Sequence, residues 1–249
     1  MPKYTSITNA ITENGHLFCS SSHCSSKRIG LSSFCINHRN KYVLYGHPLQ
    51  YKLHASRHAV EREEVTRIFD NNPQHKGILE AIQFVQRWIN AVNREDSSAI
   101  APEEIRRLTN AGVTARDIVI EAASFYIYQQ WNKHHFHNDM AVDIALSLAV
   151  LGLAPIAKKT RVNPNGSITR TPISFKASAR KKIGRYLRGH LIELFHNLQT
   201  LIENNQNAAQ TVKEAMRSPL TYPAVIIPSK EATYSPPWDT SPGAPMKVF

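Results

Sequence analysis

The three cysteines of this 249-residue chain lie close to one another and to a histidine near the N-terminus. The four residues are Cys19, Cys24, Cys35 and His38, and the chain has no other cysteine. Structural zinc sites take four tetrahedral ligands from thiolate and imidazole, usually as two closely spaced pairs. Cys19 and Cys24 are close enough to share a tight turn, and Cys35 and His38 have the three-residue spacing of one helix face. The spacing predicts one structural Zn²⁺ ion.

Other interpretations of these residues are possible. The cysteines could be buried or incidental, although finding all three in one small polar segment argues against this. His23 and His16 are competing ligands, but the adjacency of His23 to Cys24 makes simultaneous binding by both awkward. An odd number of cysteines and the absence of a secretory signal favour reduced thiols in a cytoplasmic location.

Residues 16–50 resemble the small treble-clef zinc fingers of phage and other mobile-element proteins of bacteria. The matching positions are Cys19, Cys24, Gly30, Cys35, His38, Arg39 and the Gly46 to Pro48 turn. His47 departs from the pattern, because an acidic residue is usual there. The resemblance implies a metal site in a phage-infected or bacterial cell. It also implies an alternative function, because many such proteins are described as His-Asn-His nucleases.

A metal-dependent nuclease needs a histidine base beside a further cation site. His54 and His58 are four residues apart, but no glutamate stands between them as in H-E-x-x-H. A second group is denser, and it comprises His134, His135, His137, Asn138 and Asp139. This group falls between two apolar helices, where histidine suits a last turn and Asn138 or Asp139 suits an N-cap. We therefore expect turn and capping roles, with a metal-dependent His-Asn-His-like endonuclease as the alternative function.

The positive charge of the chain is concentrated in two regions. The net charge is +11. Residues 1–60 carry 7 basic and 1 acidic side chains, residues 61–143 carry 9 and 13, residues 144–192 carry 10 and none, and residues 193–249 carry 4 and 5. A basic surface attracts polyanions such as nucleic acid or an anionic membrane, although it also serves solubility. The longest apolar run, residues 144–157, is shorter than the roughly twenty residues of a membrane span.

Beyond residue 55 the pattern predicts a mainly α fold. We expect an all-helical bundle over residues 56–155, with an apolar stripe from Ile78 to Val92 at three- and four-residue intervals. Thr114 and Asp117 have the spacing of a capping box. The helix that follows them is apolar nearly all round, so it should be central to the core, and its aromatic residues should be core rather than ligand platforms.

A basic loop is expected over residues 156–173, either as two short strands joined by a turn or as a mobile loop. Residues 174–217 predict a long basic amphipathic helix packed on the bundle. Cations in the first half of a helix oppose its dipole. Either an external polyanion or the acidic 61–143 block would balance them.

Residues 218–249 hold seven of the fourteen prolines. This composition predicts an extended tail. The tail is either inert or a docking segment for a protein partner, and the second possibility would make the chain an adaptor in a larger assembly.

Together these patterns predict a small N-terminal zinc finger (residues 1–55) followed by helices and a tail. The predicted function is a non-catalytic nucleic-acid-binding accessory protein of a phage or mobile element, with DNA favoured over RNA and no membrane association. The predicted nucleic-acid contacts are Arg39, Lys41, Lys158, Lys159, Arg161, Arg180, Lys181, Lys182, Arg185 and Arg188.

Overall fold

The structure, a computed structural model, describes residues 3–155, 158–163, 167–172 and 176–217. In this part of the chain the elements are α1 (Lys3–His16), α2 (Ile36–Tyr45), a 3-10 turn (Ala55–His58), α3 (Ala59–Asn71), α4 (Lys76–Asn93), α5 (Pro102–Asn110), α6 (Ala115–Trp131), a second 3-10 turn (Lys133–His135), α7 (Asp139–Leu151), β1 (Lys158–Val162), β2 (Ile168–Pro172) and α8 (Ala177–Arg217). The fold is mainly α, as predicted. Residues up to Gln206 belong to one compact unit. The predicted extended tail, 218–249, and its docking role lie outside the described residues.

Helix α6 is the centre of the core. Its residues from Ile118 to Gln129 are all buried, and it packs against α3, α4 and α7. Its N-terminus has the predicted capping box, in which Thr114 Oγ1 accepts a hydrogen bond from the Asp117 backbone and the Asp117 carboxylate accepts one from the Thr114 backbone. An apolar surface on all sides requires neighbours on all sides, so the central position follows from the sequence pattern.

A buried polar cluster joins α3 to α6. The His58 Nε2 and Glu121 Oε1 atoms lie 2.7 Å apart, and the two residues are only 2% and 1% exposed. Arg62 donates to the same carboxylate from Nη2 at 2.8 Å. A buried carboxylate is tolerated when it is paired and hydrogen-bonded. His58 therefore has a structural role as part of this buried cluster.

The N-terminal segment, residues 3–55, is attached to the bundle through the end of α2. Gly46 closes α2 in the left-handed conformation (φ +83°), and a Cβ there would lie 2.8 Å from the backbone nitrogen of Ala141. Gln50 Nε2 donates to the carbonyl of His135 at 3.0 Å, and Arg180 Nη1 donates to that of Leu44 at 2.9 Å. The turn after α2 is thus fixed against α7 and α8.

Helix α1 was not expected from the sequence. Its apolar residues Ile7 and Ile11 remain exposed, so they supply no buried stripe from which a helix could be predicted. Asn14 ties the end of α1 to the segment that follows, because its Nδ2 donates to the carbonyls of Gly30 at 2.7 Å and Ser32 at 2.8 Å.

Strands β1 and β2 form an antiparallel pair, in which Lys159 pairs with Thr171 and Arg161 with Thr169. Of the two forms considered for this basic loop, the structure has the short strands. Helix α8 is long, as predicted, and packs its Ile183, Leu187 and Phe195 into the core. No helix in the described ranges has both the length and the apolar character needed to cross a membrane.

Helices α7 and α8 cross at a glycine. A Cβ placed on Gly184 would lie 1.7 Å from the carbonyl oxygen of Asp143, whereas one placed on Gly189 meets nothing within 4 Å. These two glycines are five residues apart on the same helix, but only the position of Gly189 has room for a side chain. Only Gly184 allows the close approach of the two backbones.

We predict that Gly184→Ala destabilises the protein by about 1–3 kcal/mol or more, because the new methyl group collides with backbone rather than with a movable side chain. Gly189→Ala is the matched control. It should raise stability by roughly 0.5–1 kcal/mol through helix propensity alone. Chemical denaturation of both variants measures the difference, and equal effects at the two sites would contradict the crossing.

A second prediction concerns pH and the junction of the N-terminal segment with the bundle. The rings of His47 and His137 stack with centroids 4.3 Å apart. Burial, and then the nearby His137, lower the pKa of His47 below its ordinary value of 6.5. A histidine with a lowered pKa stabilises the fold above the ordinary value and loses that contribution as pH falls below it.

Thermal stability should therefore fall between pH 7 and pH 5.5, and His47→Gln should flatten this slope. His54→Gln, which changes an exposed histidine of the same segment, should keep the slope of the unmodified protein. Melting curves at both pH values test this, and identical slopes for the two variants would refute it.

Candidate metal centre

Cys19 and Cys24 are brought together by a tight turn between two short extended stretches. Phe18 and Lys27 form an isolated antiparallel bridge, and the Cys19 backbone nitrogen donates to the carbonyl of Ser26 at 2.9 Å. The Cys24 backbone nitrogen donates to the carbonyl of Ser21 at 3.2 Å, which closes the turn. The C-x4-C spacing thus produces the predicted turn.

Cys35 and His38 lie at the start of α2. Cys35 is the N-cap residue, and its carbonyl accepts the first helical hydrogen bond, from the Arg39 nitrogen at 2.9 Å. Gly30 has a φ of +58°, in the region that glycine adopts at no steric cost, and lies where the chain reverses before α2. The reversal places the helix start beside the turn that carries Cys19 and Cys24.

The four side chains converge on one point. Their ligand atoms all lie within 4.8 Å of one another. His38 Nδ1 is 3.4 Å from the Sγ of both Cys19 and Cys35, and the Sγ atoms of Cys24 and Cys35 are 3.8 Å apart. A tetrahedral ion with sulfur at ~2.3 Å and nitrogen at ~2.0–2.1 Å would separate two sulfurs by about 3.8 Å and sulfur from nitrogen by about 3.6 Å. These residues could therefore hold a metal ion.

Electrostatics at the cluster also fit a cation. The Ser26 backbone N–H lowers the pKa of the Cys24 thiol. The His38 backbone N–H opposes a rise in the pKa of Cys35, but burial and the neighbouring thiols raise it. Packed thiols that disfavour each other's ionisation become thiolates when a metal ion replaces their protons. All three cysteines are free of disulfide bonds.

The competing ligands lie outside this group. His16 and His23 are not among the residues whose donor atoms converge. Within the described ranges no second group of three or more metal-ligating side chains converges on one point. The histidines from His134 to His137 therefore do not form a metal site of that kind. Instead His135 Nδ1 lies 3.1 Å from the Tyr128 hydroxyl, and Asn138 caps α7 by accepting from the Ala141 nitrogen at 2.7 Å.

The predicted nucleic-acid residues of α2 are near the metal ligands. Arg39 follows His38 directly and is exposed. Lys41 lies three residues after His38, and its Nζ is 4.1 Å from the centre of the Tyr51 ring. Lys158, Lys159 and Arg161 lie on β1, with Lys159 and Arg161 at alternate positions and therefore on one face of the strand. The side chains of β1 lie outside what the structure describes.

The predicted cations of α8 fall into two groups. Arg180 is only 6% exposed, and burial lowers its pKa. Arg188 Nε lies 2.9 Å from Asp143 Oδ1, and Arg185 Nε lies 3.9 Å from Asp143 Oδ2. Internal carboxylates therefore balance part of this charge, the second of the two explanations considered. Burial raises the pKa of Asp143, although Arg188 opposes the rise, so the buried carboxylate depends on these arginines.

Lys181 and Lys182 remain as cations of α8 for which the described residues show no carboxylate partner within 4.0 Å. Lys27 and Arg28 of the N-terminal segment were not among the functional residues predicted from the sequence. Arg28 Nε donates to the carbonyl of Phe18 at 2.8 Å, and Lys27 Nζ donates to that of His16 at 2.7 Å. These contacts brace the turn that carries Cys19 and Cys24. The basic pair in the stretch SSKRIG was the sequence feature from which the two residues could have been predicted.

We predict that Cys35→Ser abolishes stoichiometric metal binding and lowers the melting temperature, because it removes a buried thiolate common to two of the closest ligand contacts. His23→Ala, a change at an exposed residue next to Cys24, is the control and should bind one equivalent. Titration of metal-free protein with Co²⁺ or Zn²⁺, followed by absorbance and elemental analysis, measures both. Full binding by Cys35→Ser, or loss of binding in His23→Ala, would contradict the ligand set.

Comparison of the chain with family models, with curated proteins and with solved structures found no match. The assignment of this site therefore rests on its own geometry. Three thiols and one imidazole, with ligand atoms within 4.8 Å of one another and inside one short segment, form a candidate metal centre.

Proposed function

We propose that the chain is a zinc-containing nucleic-acid-binding protein whose N-terminal segment is a treble-clef-like finger. The observation that carries this proposal is the convergence of four ligand atoms in a basic segment in which Arg39 and Lys52 are exposed. Zn²⁺ is the metal that best suits three thiolates and an imidazole with tetrahedral separations. The resemblance of residues 16–50 suggests a protein of a phage or mobile element. The proposed role is accessory and non-catalytic, in the cytoplasm, on DNA rather than RNA.

Charge in the N-terminal segment supports a polyanionic partner. Residues 6–55 carry five basic side chains and one acidic side chain, Glu13. The basic residues are Lys27, Arg28, Arg39, Lys41 and Lys52. In the described part of the chain none of them forms an ion pair with a carboxylate. Phosphate groups would supply the missing negative charge and release their counterions on binding.

Further phosphate contacts are proposed for Lys181 and Lys182 of α8 and for Lys158, Lys159 and Arg161 of β1. Arg180 is not among them, because its guanidinium is buried and donates to the carbonyl of Leu44. Arg185 and Arg188 serve the buried Asp143 carboxylate first, although Arg185 is 71% exposed and retains a free edge. The bundle thus supplies fewer phosphate contacts than its ten basic residues between 144 and 192 suggest.

The test is binding of labelled duplex DNA by the zinc-loaded full chain, measured by fluorescence anisotropy over a range of salt. We expect steep weakening with salt, and the variant Arg39→Glu/Lys41→Glu/Lys52→Glu should lose most of the affinity. Loss of about three phosphate contacts should reduce the slope of log K against log salt by about three.

The matched control reverses three exposed cations of the bundle, Lys76, Arg94 and Arg106, and so changes the net charge by the same six units. It should retain most of the binding. Equal losses in the two variants would show an unlocalised charge effect, and absence of salt-dependent binding to any nucleic acid would refute the proposed function.

The same samples test the nuclease alternative. Incubation with Mg²⁺ or Mn²⁺ and plasmid should leave the DNA intact, because the histidines from His134 to His137 are engaged in turn, stacking and hydroxyl contacts. Cleavage that His135→Ala abolishes would replace the binding role with an endonuclease.

A further inference from the structure

Exposed apolar side chains are concentrated in the N-terminal segment. Of the fourteen large hydrophobic residues that the described chain leaves exposed, eleven belong to residues 7–51. Among these eleven the aromatic ones are Phe18, Tyr42 and Tyr51, which are 59%, 41% and 70% exposed. A concentration of exposed apolar side chains among polar ones is typical of an interaction surface.

Two of these rings, Phe18 and Tyr51, have a lysine ammonium group over the ring. Lys27 Nζ lies 4.0 Å from the centre of the Phe18 ring, and Lys41 Nζ lies 4.1 Å from that of Tyr51. Tyr42 is next to Lys41 in α2, and its ring lies against Phe34 with centroids 5.7 Å apart. An ammonium group over part of a ring leaves the rest accessible, as the exposed fractions show.

Two of these rings, Phe18 and Tyr42, lie close to metal ligands along the chain. Phe18 precedes Cys19, Phe34 precedes Cys35, and Tyr42 lies one turn after His38. A ring held by a rigid neighbour loses little conformational freedom on binding, so it can stack at low entropic cost.

Together these observations deepen the proposed function and rest on it. We propose that the N-terminal segment binds single-stranded nucleic acid, with unpaired bases stacked on Phe18, Tyr42 and Tyr51 and phosphates held by the adjacent lysines and Arg39. Bases in a duplex are already stacked on one another, so exposed rings have no partner there. Single-strand binding surfaces combine a positive surface with such aromatic platforms.

Charge distinguishes this ligand from a protein partner. Basic side chains outnumber the acidic one five to one over residues 6–55. The rings of Phe18 and Tyr51 adjoin two of those cations, Lys27 and Lys41. Exposed aliphatic residues such as Leu31, 66% exposed, offer no π face for a base. Substitution of Leu31 therefore distinguishes a protein partner, which would contact its side chain, from a nucleic acid, which would not stack on it.

The experiment compares four labelled probes of equal length with the zinc-loaded full chain. They are an oligo-dT strand, an oligo-rU strand, a DNA duplex, and an abasic strand that keeps the phosphates but lacks bases. We expect the oligo-dT or oligo-rU strand to bind at least tenfold tighter than the duplex and the abasic strand. The dT and rU arms then identify which sugar is preferred.

The variants Phe18→Leu and Tyr51→Leu should each weaken binding of the single strand by about five- to a hundredfold, since each loses one stacking surface. Their affinity for the abasic strand should not change. Leu31→Ala is the control on the same segment and should bind as the unmodified chain does. Retained zinc content and circular dichroism would show that each variant is folded.

Equal affinity for the duplex and the single strand, with no effect of Tyr51→Leu, would overturn this inference and leave the proposed function standing. A loss in Leu31→Ala as large as in Tyr51→Leu would overturn it in favour of an apolar protein-docking surface. Absence of binding to all four probes would instead refute the proposed function itself.

Discussion

The convergence of four ligand atoms is the interaction on which the N-terminal segment depends. From Ser6 to Tyr45 the buried side chains are those of Cys19, Ser21 and Cys35, and α2 buries none of its own. Such a segment has no apolar core from which to gain folding free energy. A cation bound by Cys19, Cys24, Cys35 and His38 would supply that free energy, because the ligands converge only in the folded state and metal binding then contributes directly to stability. The same arrangement frees the apolar and basic side chains of the segment to face solvent.

The positions of a few carboxylates determine which basic side chains form ion pairs within the fold and which remain unpaired at the surface. Asp143 is buried on α7 and draws in Arg185 and Arg188 of α8, while Arg180 is used to hold the end of α2. A buried carboxylate without these partners would be costly. Several of the cations that made α8 a predicted polyanion-binding helix therefore pair with groups inside the fold. The N-terminal segment has one acidic residue among residues 6–55, and in the described part of the chain Arg39, Lys41 and Lys52 form no ion pair with a carboxylate.

Local patterns predicted the helices of the bundle, the capping box at Thr114, the central position of α6 and the metal-ligand set. Each of these depends on residues close together in sequence, where periodicity and spacing carry the information. Helix α1 was missed because Ile7 and Ile11 face solvent and provide no buried stripe. The roles of Gly184 and Gly189 could not be distinguished either, since both are glycines within one helix and only the path of α7 decides which of them is crowded.

The sequence alone determined that a C-x4-C turn and a C-x2-H helix start would carry convergent ligands, and that a predominantly helical body would follow. Spacing along a single segment fixes both, because the contacts involved are local. Only the tertiary structure decided which cations face outward, that His58 is paired with Glu121, and that the turn after α2 rests on α7. These outcomes depend on residues from Glu121 to Arg188 meeting residues from Leu44 to Arg62. Such long-range pairings are set by packing of the whole unit rather than by any local pattern.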